Sequence, residues 1–196
     1  MNNRSNISRR EALKRTSLVF GGTLAASTVA GIMSGCQAPL DPDWTPSFFT
    51  TEQSETIAMI AEAIIPKTET PGALDAKVHR YIDELANNVF SEKRQEELLD
   101  GLSGFDAHCK ELYFRTFAKL RDDQRAEYLM KLHEESQAKE RSRGDSPSFF
   151  SSMRQLTIAG FCTSEIGATQ VLKHDPIPGS YEPCIPYETV GGVWAY

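Results

Sequence analysis

The sequence predicts an all-α fold, with about five helices in a compact, bundle-like domain and a long irregular tail rich in proline and glycine. Apolar residues recur at helical spacing between about residues 50 and 165. No half of the chain is rich in strand patterns. After Gly167 a series of prolines and glycines breaks the helical pattern. We therefore place the helical domain at residues 48–167 and an irregular tail of the same domain at residues 168–196.

The first two helices are expected on either side of a loop at residues 67–72. Thr50 and Gln53 form a capping-box pattern, and the helix that follows them ends before Pro66. The second helix is expected at residues 74–89. Its apolar residues fall on one helical face, which we expect to be buried: Val78, Tyr81, Ile82, Leu85 and Val89.

Three further helices complete the predicted bundle. The third begins near Glu92, and residues 112–120 are expected to continue it. Asp122 and Asp123 suit the start of the fourth helix, because carboxylates are favourable at a helix N-terminus. Ser146 is predicted to cap the fifth helix. The inward-facing residues of these helices include Leu98, Leu102, Phe105, Cys109, Tyr128, Leu129, Leu132, Phe149, Phe150, Met153, Leu156 and Phe161.

Residues 1–35 are predicted to be a twin-arginine signal peptide. Basic residues precede an uncharged stretch at residues 16–35 that ends in small residues, which is the layout of a cleaved targeting segment. Residues 8–14 resemble the twin-arginine pattern, with Arg9 and Arg10 as its arginine pair and Ala12 where the pattern prefers phenylalanine. A transmembrane anchor is the alternative, but the stretch is only mildly apolar. We expect export to the periplasm or cell envelope by the twin-arginine route, and association with a membrane.

Cys36 is a candidate for lipidation. Met33, Ser34, Gly35 and Cys36 resemble a lipobox, in which cleavage occurs before a cysteine that then carries lipid. The alternative is ordinary cleavage nearby, which would leave Cys36 as a free or paired thiol. Residues 36–47 contain three prolines among polar residues and are predicted to be an extended tether.

The charge of the chain argues against a nucleic-acid partner. Removal of residues 1–35 takes away five of the 21 basic residues and one of the 27 acidic residues, which leaves 16 basic and 26 acidic residues. The mature chain therefore has a formal charge of about −10, which phosphate backbones would repel.

No catalytic, cofactor-binding or metal-binding residue is expected in this chain. The sequence contains no dinucleotide-binding glycine pattern, phosphate loop, nucleophile elbow or paired-cysteine metal motif. His108 and Cys109 are adjacent and so point to different sides of a helix. Three acidic pairs are expected on solvated helical faces: Asp83 with Glu84, Glu96 with Glu97, and Glu134 with Glu135.

The thiols offer one candidate disulfide. Cys109, Cys162 and Cys184 would meet oxidising conditions after export. A bond between Cys162 and Cys184 would staple the tail to the fifth helix by closing a loop of about 23 residues, worth roughly 3 kcal/mol in the chain-entropy treatment. Three buried free thiols are the alternative.

Three blocks of sequence resemble the gluconate 2-dehydrogenase subunit 3 family. They are residues 57–66 (IAMIAEAIIP), residues 78–85 (VHRYIDEL) and residues 160–186, which contain FCTSEIGAT and HDPIPGSYEPCIP. The last block is the most specific. The resemblance covers about residues 48–187, and the chain departs from it at Phe161 and Cys162, where relatives often have two aromatic residues.

The resemblance implies an accessory subunit and not an enzyme. Members of this family pair with a large flavoprotein of the glucose-methanol-choline type, which oxidises sugars, sugar acids or polyols and passes electrons to a cytochrome c. The large subunit would hold the FAD. The small subunit would bind and stabilise it and provide the export signal for both chains. Candidates for partner binding lie in the tail, at Pro178, Gly179, Tyr181 and Pro183.

Two other classes of function stay open from the sequence. One is a stand-alone lipoprotein of the cell envelope with a binding or structural role. The other is an independent enzyme whose site is hidden in the helical core. A neighbouring gene for a large flavoprotein that lacks its own signal would favour the accessory-subunit hypothesis over the stand-alone lipoprotein.

Overall fold

A computed structural model describes residues 41–142, 148–175, 177, 179 and 184–194. The architecture of these residues is all-α, as predicted from the sequence, and they contain no β-strand. The helices are α1 (Thr51–Ile64), α2 (Val78–Asn88), α3 (Glu92–Tyr113), α4 (Asp122–Ser142), α5 (Phe149–Thr163) and the short α6 (Tyr187–Val190). A 3-10 turn (Phe117–Lys119) joins α3 to α4, and a π-helical turn (Gly167–Val171) follows α5. None of the helices in these ranges is long and apolar enough to cross a membrane.

Helix α5 lies at the centre of the fold and packs against the four other long helices. Its buried residues include Phe150, Met153 and Phe161, which join one apolar cluster with the inner faces of α1 to α4. Gly160 lies where α5 crosses α2, and a Cβ atom there would be 2.6 Å from Cδ1 of Tyr81. The glycine therefore allows the two helices to approach closely.

The start of α1 confirms the predicted capping box. The Thr50 side chain accepts a hydrogen bond from the backbone N–H of Gln53, and the Gln53 side chain accepts one from the backbone N–H of Thr50. These bonds satisfy donors that have no partner within the helix. The helix ends at Ile64, just before Pro66, as the sequence predicts.

Helix α2 begins later than predicted, at Val78 instead of residue 74. Carboxylates hold the preceding loop in a non-helical conformation: Glu62 accepts hydrogen bonds from the backbone N–H groups of Lys67 and Leu74, and Asp75 accepts one from Gly72. At the other end, α2 stops at Asn88. The prediction that Val89 is buried is therefore wrong, and this side chain is 68% exposed.

Helix α3 also differs from its prediction, because it ends at Tyr113 and does not continue to residue 120. Phe114 follows the last helical residue and adopts the left-handed conformation with φ of 55°, which ends the helix. The chain then enters the 3-10 turn, where Phe117 is fully buried.

Helix α5 is capped by Ser148, whose side chain accepts a hydrogen bond from the backbone N–H of Ser151. The prediction of a cap at Ser146 is therefore wrong, and residue 146 itself lies outside the described ranges. The helix ends at Thr163. The Ser164 hydroxyl donates to the carbonyl of Phe161 and accepts from the N–H of Gly167. Gly167 is the first residue of the π-helical turn.

The prediction that Asp83 and Glu84 are both solvated is wrong for Asp83. Glu84 is exposed, but the Asp83 side chain is completely buried. Its Oδ2 accepts a hydrogen bond of 2.7 Å from the N–H of Ser47, and its Oδ1 accepts bonds from Phe48 at 3.1 Å and Phe49 at 3.0 Å. Asp83 therefore fixes the segment that leads into α1 onto α2.

Trp44 extends this attachment toward the N-terminus. Its ring meets the buried ring of His79 edge to face, with centroids 5.3 Å apart. The guanidinium of Arg80 lies 5.5 Å from the centre of the same indole. The last residues of the predicted tether are thus fixed on the surface of α2.

Candidate functional site

The described residues include a groove between α3 and α5, which α4 borders at one end. The Phe149 side chain rests on Gly101, where a Cβ atom would lie 2.6 Å from Cδ2 of the ring. Gly101 and Phe149 line a cavity on each side of this contact. The glycine in the middle of α3 therefore allows an aromatic ring to divide the groove into two compartments.

The smaller compartment, of about 210 Å³, is mostly apolar. Its polar groups include a hydrogen-bonded pair, His108 and Tyr128, in which Nδ1 of His108 is 3.1 Å from the Tyr128 hydroxyl. That hydroxyl donates to the carbonyl of Phe105, so the histidine must be the donor of the bond between them. Burial raises the pKa of Tyr128, and nearby Cys109 raises it further, which keeps the phenol neutral. The pair therefore locks α3 to α4 at the floor of this compartment.

The larger compartment, of about 660 Å³, has a mixed lining. Phe90, Leu98 and Leu156 provide an apolar floor, while Arg94, Glu97, Ser152 and Gln155 add polar groups. The guanidinium of Arg94 lies 4.2 Å from the centre of the Phe90 ring. An open surface with this combination can hold apolar side chains of another protein and hydrogen-bond the polar groups around them.

Exposed apolar side chains occur on the helices and in the tail. Phe114 at the end of α3 is 91% exposed, and Met130 on α4 is 65% exposed. In the tail, Ile177 is 82% exposed and Val193 is 63% exposed. Single exposed apolar residues are common on proteins, whereas contiguous apolar patches are typical of interaction surfaces.

The two described ends of the tail are joined through Lys173. Its backbone N–H donates to the carbonyl of Val193 at 2.7 Å, and its ammonium donates to the carbonyl of Val190 at 2.9 Å. The ammonium also lies 4.6 Å from the centre of the Trp194 ring. The tail segment from residue 173 to residue 194, which we call the tail loop, is therefore joined at its two ends.

Most of the residues singled out in the sequence lie outside the described ranges. These are Arg9, Arg10, Cys36, Pro178, Tyr181 and Pro183. Gly179 is described and has φ of 69°, a conformation that favours glycine, with open space around it.

The candidate disulfide is not formed in this structure. Cys162 is a half-buried thiol, Cys184 is an exposed thiol, and Cys109 is a buried thiol on α3, as the core prediction requires. The pairing of Cys162 with Cys184 under oxidising conditions stays a prediction. Among the residues that the structure describes, no three histidine, cysteine, aspartate or glutamate side chains are grouped to hold a metal ion.

Three features of the structure were not predicted from the sequence: the burial of Asp83, the exposure of Phe114 and the groove at Gly101. Only Gly101 could have been noticed in the sequence. A glycine inside a helix lowers the stability of the helix, so its presence indicates a position where another group approaches closely. Asp83 has an exposed acidic neighbour, and Phe114 occurs in an apolar stretch, so neither stands out by residue type.

Comparison with known proteins identifies the family. Searches among curated proteins and among solved structures gave no match. Residues 51–179 match the sequence profile of the family described as gluconate 2-dehydrogenase subunit 3. The matched range begins at the first residue of α1 and ends in the tail, so it includes the groove and the π-helical turn. The chain therefore belongs to the gluconate 2-dehydrogenase subunit 3 family.

Proposed function

We propose that this chain is the non-catalytic small subunit of a flavin-dependent dehydrogenase. It binds and stabilises a large subunit of the glucose-methanol-choline type, which carries FAD and oxidises a sugar, sugar acid or polyol. The observation that carries the proposal is the family match over residues 51–179, because it extends through all five long helices. The family name itself denotes one subunit of a dehydrogenase complex.

The surface of the domain supports binding to a protein partner. The groove between α3 and α5 combines an apolar floor with polar groups, and Phe114, Met130, Ile177 and Val193 expose apolar area elsewhere. Interfaces that form between folded subunits typically have this mixture of apolar centre and polar rim. We propose that the groove and the tail loop each contribute to binding of the large subunit.

The tail loop supports the proposal in a second way. Lys173 joins its two ends, so less conformational freedom is lost when the loop binds than would be lost from an open chain. The partner-binding candidates Pro178, Gly179, Tyr181 and Pro183 occur in the sequence between these two ends. Their proposed role is to contact the large subunit.

Export forms the second half of the proposal. The flavin is inserted in the cytoplasm, so the complex must cross the membrane folded, and one twin-arginine signal with Arg9 and Arg10 would serve both chains. Cys36 would then carry lipid and hold the complex at a membrane, with a cytochrome c as the electron acceptor. Replacing both arginines by lysine should leave both proteins in the cytoplasm. Export of the large chain without this one would contradict the carrier role.

Deletion of the tail loop tests the binding role. A chain that ends at Lys173 keeps the five long helices and the π-helical turn, so it should stay helical by circular dichroism. It should lose co-purification of a flavin-containing large subunit. A complex that forms unchanged would overturn the assignment of binding to the tail. Purified small subunit should show no flavin absorbance and no dye reduction with sugars, and activity of this chain alone would overturn the non-catalytic assignment.

A further inference from the structure

Phe114 combines two features that each cost free energy in an isolated subunit. Its side chain is 91% exposed to solvent, and its backbone has the left-handed angles φ of 55° and ψ of 24°. Bulky residues rarely adopt this conformation, which glycine and asparagine accept most easily. The neighbouring Leu112 is also exposed. A phenylalanine at this position is therefore explained better by a contact outside the chain than by the stability of the chain.

The backbone that carries Phe114 is held firmly. Its own N–H closes the last turn of α3 by donating to the carbonyl of Lys110. After it, the N–H of Phe117 donates to Oδ1 of Asp106, and the Phe117 ring is buried. Arg125 donates to the carbonyl of Ala118 at 2.7 Å. The exposed ring therefore projects from a turn that is fixed on both sides by helices α3 and α4.

Two exposed basic side chains lie close to Phe114 in the sequence, although the chain as a whole is acidic. Residues 110–121 contain four basic residues and one acidic residue, in a chain with 21 basic and 27 acidic residues. Lys110 is paired with Asp106, and Arg121 is paired with Asp123. The remaining two basic side chains, Arg115 and Lys119, are exposed. A partner that covers Phe114 would be favoured by acidic groups around the site that accepts the ring.

We propose that Phe114 is the anchor residue by which this chain docks onto the catalytic large subunit, in an apolar pocket with an acidic rim. The proposal rests on the proposed function, because it names the contact that joins the two subunits. An aromatic side chain on a fixed turn buries large apolar area on binding and loses little freedom. Such residues carry a large share of the binding free energy at protein interfaces.

The variant Phe114→Asn separates this role from a role in folding. Asparagine suits the left-handed conformation, so the midpoint of thermal unfolding should equal or exceed that of the wild-type chain. Affinity for the purified large subunit, measured by biolayer interferometry, should fall by about 30-fold or more, as is typical of the loss of an anchor residue. A gain in stability together with a loss of affinity is an outcome that damage to the fold does not produce.

Val89→Asn is the matched control. Val89 is also an exposed apolar residue just after a helix, at 68% exposure, but it follows α2 and lies outside residues 110–121. This variant should bind like the wild-type chain. Arg115→Glu should slow association, and the difference from wild type should shrink as salt is raised, because the proposed rim contact is electrostatic.

The outcomes distinguish failure of this proposal from failure of the proposed function. If the wild-type chain and Phe114→Asn bind the large subunit equally, Phe114 is not the anchor and the proposed function stands. If the wild-type chain does not bind the large subunit, both proposals are wrong. If Phe114→Asn instead converts a dimer of this chain into a monomer in light scattering, the ring contacts a second copy and its assignment to the large subunit is overturned.

Discussion

Replacement of Asp83 by alanine should be strongly destabilising, because one buried carboxylate satisfies three backbone donors. Hydrogen bonds to a charged group are worth about 1.5–3 kcal/mol each. The bond from Phe49 is buried, whereas those from Ser47 and Phe48 are only partly buried and can be replaced in part by water. We therefore expect Asp83→Ala to lower the free energy of unfolding by about 3 kcal/mol. Asp83→Asn should cost less, since its remaining oxygen can keep the two bonds that Oδ1 accepts.

Urea denaturation followed by circular dichroism measures this effect. At a slope of about 2 kcal/mol per molar urea, the midpoint of Asp83→Ala should fall by about 1.5 M. Glu84→Ala is the control, because Glu84 is the adjacent carboxylate but is exposed, and the hydrogen bond found for it is to the side chain of Asn88. It should change stability by no more than about 0.5 kcal/mol. Equal midpoints for the two variants would refute the role assigned to Asp83.

Four further substitutions test packing, ionisation and the tail. Gly160→Ala should lower the free energy of unfolding by about 1–3 kcal/mol, because the added Cβ would meet Tyr81. Gly104→Ala should raise it by up to about 1 kcal/mol, because Gly104 lies inside α3 with open space around it. Thermal unfolding measures both effects. Burial raises the pKa of the Cys109 thiol from 9.0 to about 11. The thiol therefore makes its whole contribution to the free energy of unfolding below pH 9, and this contribution is lost as the pH rises from 9 to 11. In Cys109→Ala, the free energy of unfolding should therefore fall less steeply between pH 9 and pH 11 than in the wild-type chain. Lys173→Met should speed proteolysis in the tail without changing helical content, because both side-chain contacts that close the loop are removed.

The helices could be predicted from the sequence because their signals are local. The Thr50 and Gln53 capping box and the spacing of apolar residues act within a few positions of each other, and both are confirmed in α1. The start of α4 at Asp122 is also correct. Family membership could be recognised from sequence blocks and is confirmed over residues 51–179.

The errors concern residues whose conformation depends on distant partners. Asp83 is buried because backbone groups more than 30 positions earlier in the chain need an acceptor. Helix α3 stops at Tyr113 although no glycine or proline follows directly, and the next segment is held by Asp106 and Arg125 from two different helices. Contacts of this kind leave no periodic pattern in the sequence.

The candidate surface was predictable only in part for the same reason. The tail could be marked as irregular from its prolines and glycines, but its closure depends on Lys173 meeting residues about 20 positions later. The groove between α3 and α5 exists because Gly101 and Phe149 meet, although they are almost 50 positions apart. Phe114 is exposed and has a left-handed backbone, and its residue type predicts neither property.

Binding of a catalytic flavoprotein by this chain can be tested by isolating the tagged chain from envelope fractions in mild detergent. Mass spectrometry would then identify the intact complex and the mature N-terminus. We expect a stoichiometric complex with a FAD-containing large subunit, and a small subunit that begins at a lipidated Cys36. Recovery of the chain alone, with no flavoprotein bound, would rule out the proposed subunit role and favour a stand-alone lipoprotein.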